Sequence, residues 1–407
     1  NVFETMNGGR NRRGNQLVRT ILHYLTAQQF QDVATRHKII PFGEQPWIKG
    51  FTGGSDDHSG IFVAKGYTEC SGCDTYEEFL EEVSQRHCSP AGLDATPLSF
   101  AHSLYSIGYH FYRDRFAKGG TDILQQVLKG VFDIGKPQGR LRDKVSYYTQ
   151  RVIRRPEKPA EEEFKRLVSI ETKKLFGEDW LKDDFVADPS RYDELNRRTF
   201  ELACKISNGL FFQFAKKFVK KLSSGSIFGS LEAMSALGPI LFGISPYLFS
   251  FYHQNRDKSF LSQVSQRFLG VRPDPKTVSK KAWFTDTLTE VNGVTTLVQK
   301  MCHLAESHGH DLTLISFAKT APEYPGRVKN FEPIGHFALP ENESITLAFP
   351  PFLDILEYCE REQFTELIVS TPGLAGLAAL ATAKLLNLPL VGIYHTDLPV
   401  YIQYYTE

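Results

Sequence analysis

The stretch WFTDTLTEVNGVTTLVQKMCHLAESHGHDLTLIS, residues 283–316, decides the fold class. KAWFTD, 281–286, is an apolar run of strand length. Asn292-Gly293 then opens a helical pattern, GVTTLVQKMCHLAESHG, which Gly309 closes, and DLTLIS follows as a second strand. The same alternation continues outward. PFLDILEYCERE reads as a helix, ELIVS as a strand, GLAGLAALATAKLLNL as a helix and PLVGIY as a strand. Repeated strand-helix-strand units of this length predict a parallel sheet with crossover helices. A glycine where the first helix starts lets backbone amides approach an anion, and the positive end of the helix favours negative charge there. A single glycine is also what any loop needing a flexible residue contains.

Both ends of this region resemble the N-terminal lobe of group 1 retaining glycosyltransferases of the GT-B fold, in which two Rossmann-like lobes face across a cleft. Members open with a strand, an Asn-Gly-Val-type loop and a helix ending in Gly-His, here VNGV and SHGH. The end of the sequence, LVGIYHTDLPVYIQYYTE, is similar to their HT-[DN]-x-P-x-Y segment after a strand. The resemblance implies a nucleotide-diphosphate sugar as donor, with Asn292 and Gly293 at its diphosphate. It also implies His395 as a catalytic residue near the transferred sugar, with Thr396 and Asp397 beside it in the cleft or at the acceptor. As an isolated residue, His395 is equally a structural histidine at a strand end. Thr285 and Asp286, at the end of the first strand, are further candidates for the cleft, since ligands bind outside the carboxyl ends of parallel strands. Retention in such a fold needs no metal, since helix dipole and basic residues carry the charge of the leaving diphosphate. The resemblance places the family's second lobe, with its E-x7-E carboxylates, beyond Glu407.

Near the other end, GGSDDHSG, 53–60, sets two acids and a histidine between glycines. Asp56 and His58, two apart on an extended segment, would project to one face, and a carboxylate with an imidazole suits zinc or manganese. Ser, Asp and Gly equally build a polar turn. GFTGGSDDHSGIFVAKGYTE resembles the last metal-binding motif of the PHP (polymerase and histidinol phosphatase) domain, and FETMNG upstream is similar to the strand end before it. In that family a distorted (β/α)7 barrel holds up to three metals and hydrolyses phosphoesters. The resemblance implies Asp56 and His58 as metal ligands. The family's opening H-x-H and middle His and Glu ligands have no counterpart in the sequence, so these residues alone are expected to be inactive as a phosphoesterase. Cys70-x-x-Cys73 followed by His87-Cys88 has zinc-ligand types, but adjacent His87 and Cys88 do not converge from a regular helix. Free thiols in a loop and at a helix end are the simpler account.

Locally, the N-terminal part predicts a strand over 2–6, a helical stretch over 21–34, a strand over 38–41 and an apolar run over 61–64. Thr75-Tyr76-Glu77-Glu78 is a capping box for a helix running toward His87, and another helix is expected over 99–115. Between about 121 and 270 long amphipathic stretches such as EEEFKRLVSIETKKLF predict helices, and VRPDPKTVSKK reads as a linker because its prolines cannot continue one. AMSALGPILFGISPYLFSFY, 233–252, has no charge and the length to cross a bilayer, and the basic KKFVKK precedes it; Pro239 and Pro246 favour two buried helices broken at the prolines.

Composition limits the choice of function. Lys+Arg and Asp+Glu balance at 47 each, which recommends no nucleic acid partner, and 41% hydrophobic residues supply a core. Six scattered cysteines and an opening without a signal-like apolar core fit a cytoplasmic protein, with peripheral membrane contact if its acceptor is a lipid. The expectation is therefore an α/β protein: a partial (β/α)7-type PHP barrel at 1–118, a helical connector at 119–272, a linker at 273–280 and a Rossmann-like GT-B lobe at 281–407. Its expected activity is sugar transfer from a nucleotide donor to a lipid or glycan acceptor. The alternatives are a phosphoester hydrolase with an accessory lobe, and a helical interaction scaffold.

Overall fold

The computed structural model describes residues 1–116, 170, 192–223, 237–270, 279–286, 288, 293–319, 326–339, 342–370 and 373–395. They fall into two compact units, Asn1–Ile206 and Ser207–Glu407. EEEFKRLVSIETKKLF, almost all of the expected linker, Asn292, Thr396 and Asp397 lie outside the described residues.

In the first unit, strand β1 (Val2–Asn7) pairs in parallel with β2 (Gly50–Gly54), and β3 (Gly66–Glu69) pairs antiparallel with β4 (Ser89–Gly92). The sequence pattern at 21–34 merges two helices. Helix α1 (Arg12–His23) is capped by the Asn11 side chain, and α2 (Ala27–His37) starts anew at a Thr26/Gln29 capping box. No strand forms at 38–41: Lys38 takes a left-handed conformation that ends α2, and Ile40 is 91% exposed. Helix α3 (Tyr76–Gln85) carries the expected capping box, Thr75 accepting from the Glu78 amide while Glu78 reaches back to the amide of Thr75. Helix α4 is Pro97–Phe116. Among the described residues β1 and β2 form a two-stranded parallel pair rather than a closed barrel.

Backbones in this unit touch where glycine permits it. A Cβ on Gly53 would overlap the Tyr67 carbonyl, and one on Gly66 would overlap the Gly54 carbonyl, so β2 and β3 meet without side chains between them. Lys65 Nζ donates to Ser99 Oγ at 2.7 Å in the interior, and burial lowers its pKa to about 8 despite Asp193, Asp94 and Asp57 nearby.

Helix α5 (Tyr192–Ser223) begins with Asp193 and Glu194 and ends with Lys220 and Lys221, signs that complement its dipole. Helix α6 (Leu237–Asn255) runs through Pro246 without breaking, contrary to the expectation of two helices. Proline has no N–H for the Phe242 carbonyl one turn earlier, and the Ser245 hydroxyl donates to that carbonyl at 2.7 Å instead. Tyr247, Ser250 and Phe251 are buried while Phe242 is 71% exposed, so α6 is two-faced. Among the described residues no helix is long and apolar enough to cross a membrane. Helix α7 (Lys258–Leu269) follows and ends on Gly270.

The second unit is built on a parallel sheet of β5 (Lys280–Phe284), β6 (Asp311–Ser316), β7 (Arg327–Asn330), β10 (Glu366–Val369) and β11 (Leu390–Gly392), in the order β11-β10-β5-β6-β7. Helix α8 (Gly293–Ser307) joins β5 to β6, α9 (Phe352–Arg361) precedes β10, and α10 (Leu374–Leu386) joins β10 to β11. The alternation of strand and helix read from the sequence is thus observed, including the start of α8 at Gly293 and the left-handed Gly309 after it. Trp283, Leu288, Val298, Cys302 and Leu314 form a core cluster between α8 and the sheet. A hairpin of β8 (Gly335–Leu339) and β9 (Asn342–Phe349) is inserted before α9.

Candidate functional site

The sheet order contains one reversal. From β5 the chain moves outward through β6 and β7, then returns to the other side of β5 to lay down β10 and β11. The connections after β5 and β10 therefore leave the sheet on opposite sides, and in sheets of this kind ligands bind outside the carboxyl ends of such a pair of strands.

Three chain segments meet there. Ser370 follows β10 and its Oγ accepts the indole N–H of buried Trp283, from β5, at 2.6 Å. His395 follows β11, and its Nε2 lies 3.2 Å from the same Ser370 oxygen. An indole N–H only donates, so the proton of the Ser370 hydroxyl remains for an acceptor; given to Nε2, it makes Nδ1 the protonated nitrogen of a neutral ring. Asp286, just past β5, accepts from the Ala375 amide in the first turn of α10 at 3.1 Å. A Cβ on Gly373 would overlap the Asp286 carboxylate, so the glycine lets the carboxylate reach the helix end. Thr285 is buried, its amide bonded to the Ile315 carbonyl. Gly293 is exposed at the start of α8, and the space a Cβ would take is open.

Residues 291–407 match the family model Glycosyltransferase Family 4.

The match identifies a glycosyltransferase-type lobe, the N-terminal lobe of GT-B enzymes, over that part of the chain, and no PHP family match accompanies it. No curated protein and no solved structure matches the chain. Within the family 4 lobe the structure brings His395 to Ser370, a residue the sequence pattern does not single out. The signal for Ser370 is its position at the end of ELIVS, which acquires meaning only once β10 is known to neighbour β5. Trp283 and Asp286 enter from β5, just ahead of the matched residues. The N-terminus of α10 holds the Asp286 carboxylate, and α8 starts at the exposed Gly293.

A separate apolar cavity of about 240 Å³ in the second unit is lined by Phe211, Ile244, Leu248, Phe349 and Leu377 among others. Among the described residues Ser207 and Asn208 are its only polar lining side chains, and neither is an acid or a base.

In the first unit, Asp56 and His58 are close but not arranged as an extended D-x-H. Asp56 has φ +48, a left-handed turn, and the His58 ring folds back so that Nδ1 lies 3.1 Å from the Asp56 carbonyl and 3.9 Å from its Oδ1. The neighbouring Asp57 is engaged by the turn itself: its carboxylate accepts from Ser59 and from the Phe62 amide. Among the described residues no group of three or more His, Cys, Asp or Glu could hold a metal ion. Asp56 and His58 are two side chains of metal-ligating type, fewer than a hydrolytic ion needs, and no hydrolytic step follows from them.

Proposed function

We propose that the chain is part of a nucleotide-sugar-dependent retaining glycosyltransferase that transfers a sugar to a lipid or glycan acceptor. The observation that carries it is the convergence of His395, Ser370, Trp283 and Asp286 at the point where the sheet order reverses, within and just before the residues that match Glycosyltransferase Family 4. In this reading the donor diphosphate lies at the start of α8, where Gly293 is exposed, because the start of α10 is occupied by the protein's own Asp286 carboxylate. His395, held by Ser370, offers an imidazole to a sugar hydroxyl in the cleft, with Thr396 and Asp397 following it. The exposed lysines 216, 217, 220 and 221 favour an anionic surface and hence a lipid acceptor at the cytoplasmic side of a membrane.

The test is release of nucleoside diphosphate from a panel of sugar nucleotides by the intact protein, with lipid and glycan acceptors supplied. His395→Ala is expected to lower turnover by about 100-fold or more while leaving the fold intact. A protein that releases diphosphate from no donor of the panel overturns the proposal.

The 3.9 Å approach of Asp56 to His58 favours a second reading of the first unit, as the part of a PHP-like metal site that contributes two ligands, zinc or manganese being the ions suited to them.

A further inference from the structure

Three cysteines of the first unit are neighbours. Cys70 and Cys73 are spaced C-x-x-C around the turn after β3, and Cys88 leads into β4, the strand paired with β3. The register relates Cys88 to Cys70. The Leu93 amide donates to the Lys65 carbonyl, and the ladder continues through Gly66↔Gly92, Tyr67↔Ala91, Thr68↔Pro90 and Glu69↔Ser89. Hydrogen-bonded and non-hydrogen-bonded pairs alternate along an antiparallel ladder, so Thr68 and Pro90 form a non-hydrogen-bonded pair, as a proline without N–H requires. Continued one step past the last pair, Glu69↔Ser89, this register sets Cys70 opposite Cys88 at the next non-hydrogen-bonded position. Facing Cα atoms in such pairs stand about 4.5 Å apart, inside the span a disulfide bridges. The turn after β3, with Gly72 at φ +77, reverses the chain between Cys70 and Cys73.

We propose that Cys70, Cys73 and Cys88 form a thiol-disulfide exchange site in which a hydroperoxide oxidises Cys70 and Cys88 to a cross-strand disulfide and Cys73 reverses it. One thiolate attacks the hydroperoxide oxygen, giving a sulfenic acid and an alcohol or water. The second attacks the sulfenic sulfur, forming the S–S bond and releasing hydroxide, which leaves as water. In the return step the Cys73 thiolate attacks the Cys70 sulfur and expels Cys88 as a thiolate. The resulting Cys70–Cys73 disulfide is then reduced by an external dithiol. All three thiols are partly exposed, whereas Cys204, Cys302 and Cys359 are buried. Partial desolvation, reinforced by the neighbouring thiols and Glu82, raises the Cys70 and Cys73 thiols above the ordinary range, so the exchange quickens as pH rises.

The site is coupled to the loop bearing Asp56 and His58. Cys88 Sγ donates to the Phe51 carbonyl of β2 at 3.4 Å, and Thr68 Oγ1 donates to the Gly53 carbonyl at 2.9 Å. Thr68, Cys70 and Cys88 therefore share the face of the hairpin that lies on β2. Oxidation removes the Cys88 proton from Phe51 and staples the two ends of the segment containing α3.

Trypsin makes the test direct, because Cys70 and Cys73 fall in the peptide 66–86 and Cys88 in the peptide 87–113. The full chain is treated with hydrogen peroxide, blocked with an alkylating agent in denaturant, digested and mapped by mass spectrometry. The expected product is peptide 66–86 joined to 87–113, with the loss of two hydrogens. It persists in Cys73→Ser, where its reduction by dithiothreitol slows several-fold, and vanishes in Cys70→Ser. The wild-type map stands even if a variant fails to fold. Three results overturn the proposal: sulfinic or sulfonic acids at these cysteines without a disulfide, wild-type reduction rates in Cys73→Ser, or stoichiometric zinc in the purified chain that Cys70→Ser releases.

Discussion

His395 Nε2 lies 3.2 Å from Ser370 Oγ, the oxygen that also receives the Trp283 indole N–H. One hydroxyl thus joins the end of β10 to the middle strand and to the segment after β11. Ser370→Ala leaves the buried indole N–H without this partner, at a cost of about 1–3 kcal/mol, and frees the imidazole to rotate. Urea unfolding should show the loss of stability, and transferase assays of the intact protein should show a fall in kcat larger than any change in KM. Unchanged kcat would separate the hydroxyl from the chemistry.

Asp286 holds the first turn of α10 through the Ala375 amide. Asp286→Ala should cost about 1 kcal/mol of stability, as for other lost helix caps, and Asp286→Asn less, since the acceptor remains and only the charge is removed. Thermal unfolding of the two variants checks the order. If Ala and Asn lower Tm equally, charge rather than the hydrogen bond dominates.

His102 gives the first unit a pH dependence. It is fully buried, with Nδ1 2.7 Å from Asn196 Oδ1, and burial, opposed by that bond and aided by the Lys65 charge, lowers its pKa to about 4. Between this value and the ordinary 6.5 the unfolded chain binds more protons than the folded one, so the contribution is complete above pH 6.5 and is lost as pH falls toward 4. The full span is roughly 3 kcal/mol. Denaturant melts at pH 7 and pH 4.5 should show His102→Gln losing less stability on acidification than the wild type.

Metal content tests the D-x-H loop. The intact protein should retain zinc or manganese after dialysis, and the double variant Asp56→Ala/His58→Ala should retain measurably less by elemental analysis. Equal content in the two would make the loop a polar turn.

Much of the second unit was legible because each element carries a local signal. The apolar runs became β5, β6, β10 and β11, Gly293 opens α8, and Gly309 takes the positive φ that ends it. The capping box at Thr75 was equally local. Where the expectation failed, a neighbour decided. Ile39 and Ile40 look strand-forming but follow a left-handed Lys38 and pair with no strand among the described residues, and Pro246 stays helical because Ser245 serves the carbonyl it strands. Ser370 was invisible for a different reason: its importance depends on the order of strands distant in sequence.

The glycines of GGSDDHSG separate two kinds of constraint. Gly53 is fixed by a carbonyl it nearly touches, as Gly66 is by the carbonyl of Gly54, while His58 exposes 76% of its side chain. In a saturation mutagenesis map, intolerance at the glycines would record the spacing of two backbones. Intolerance at His58, which could accept most substitutions without a clash, would record selection for what its imidazole does.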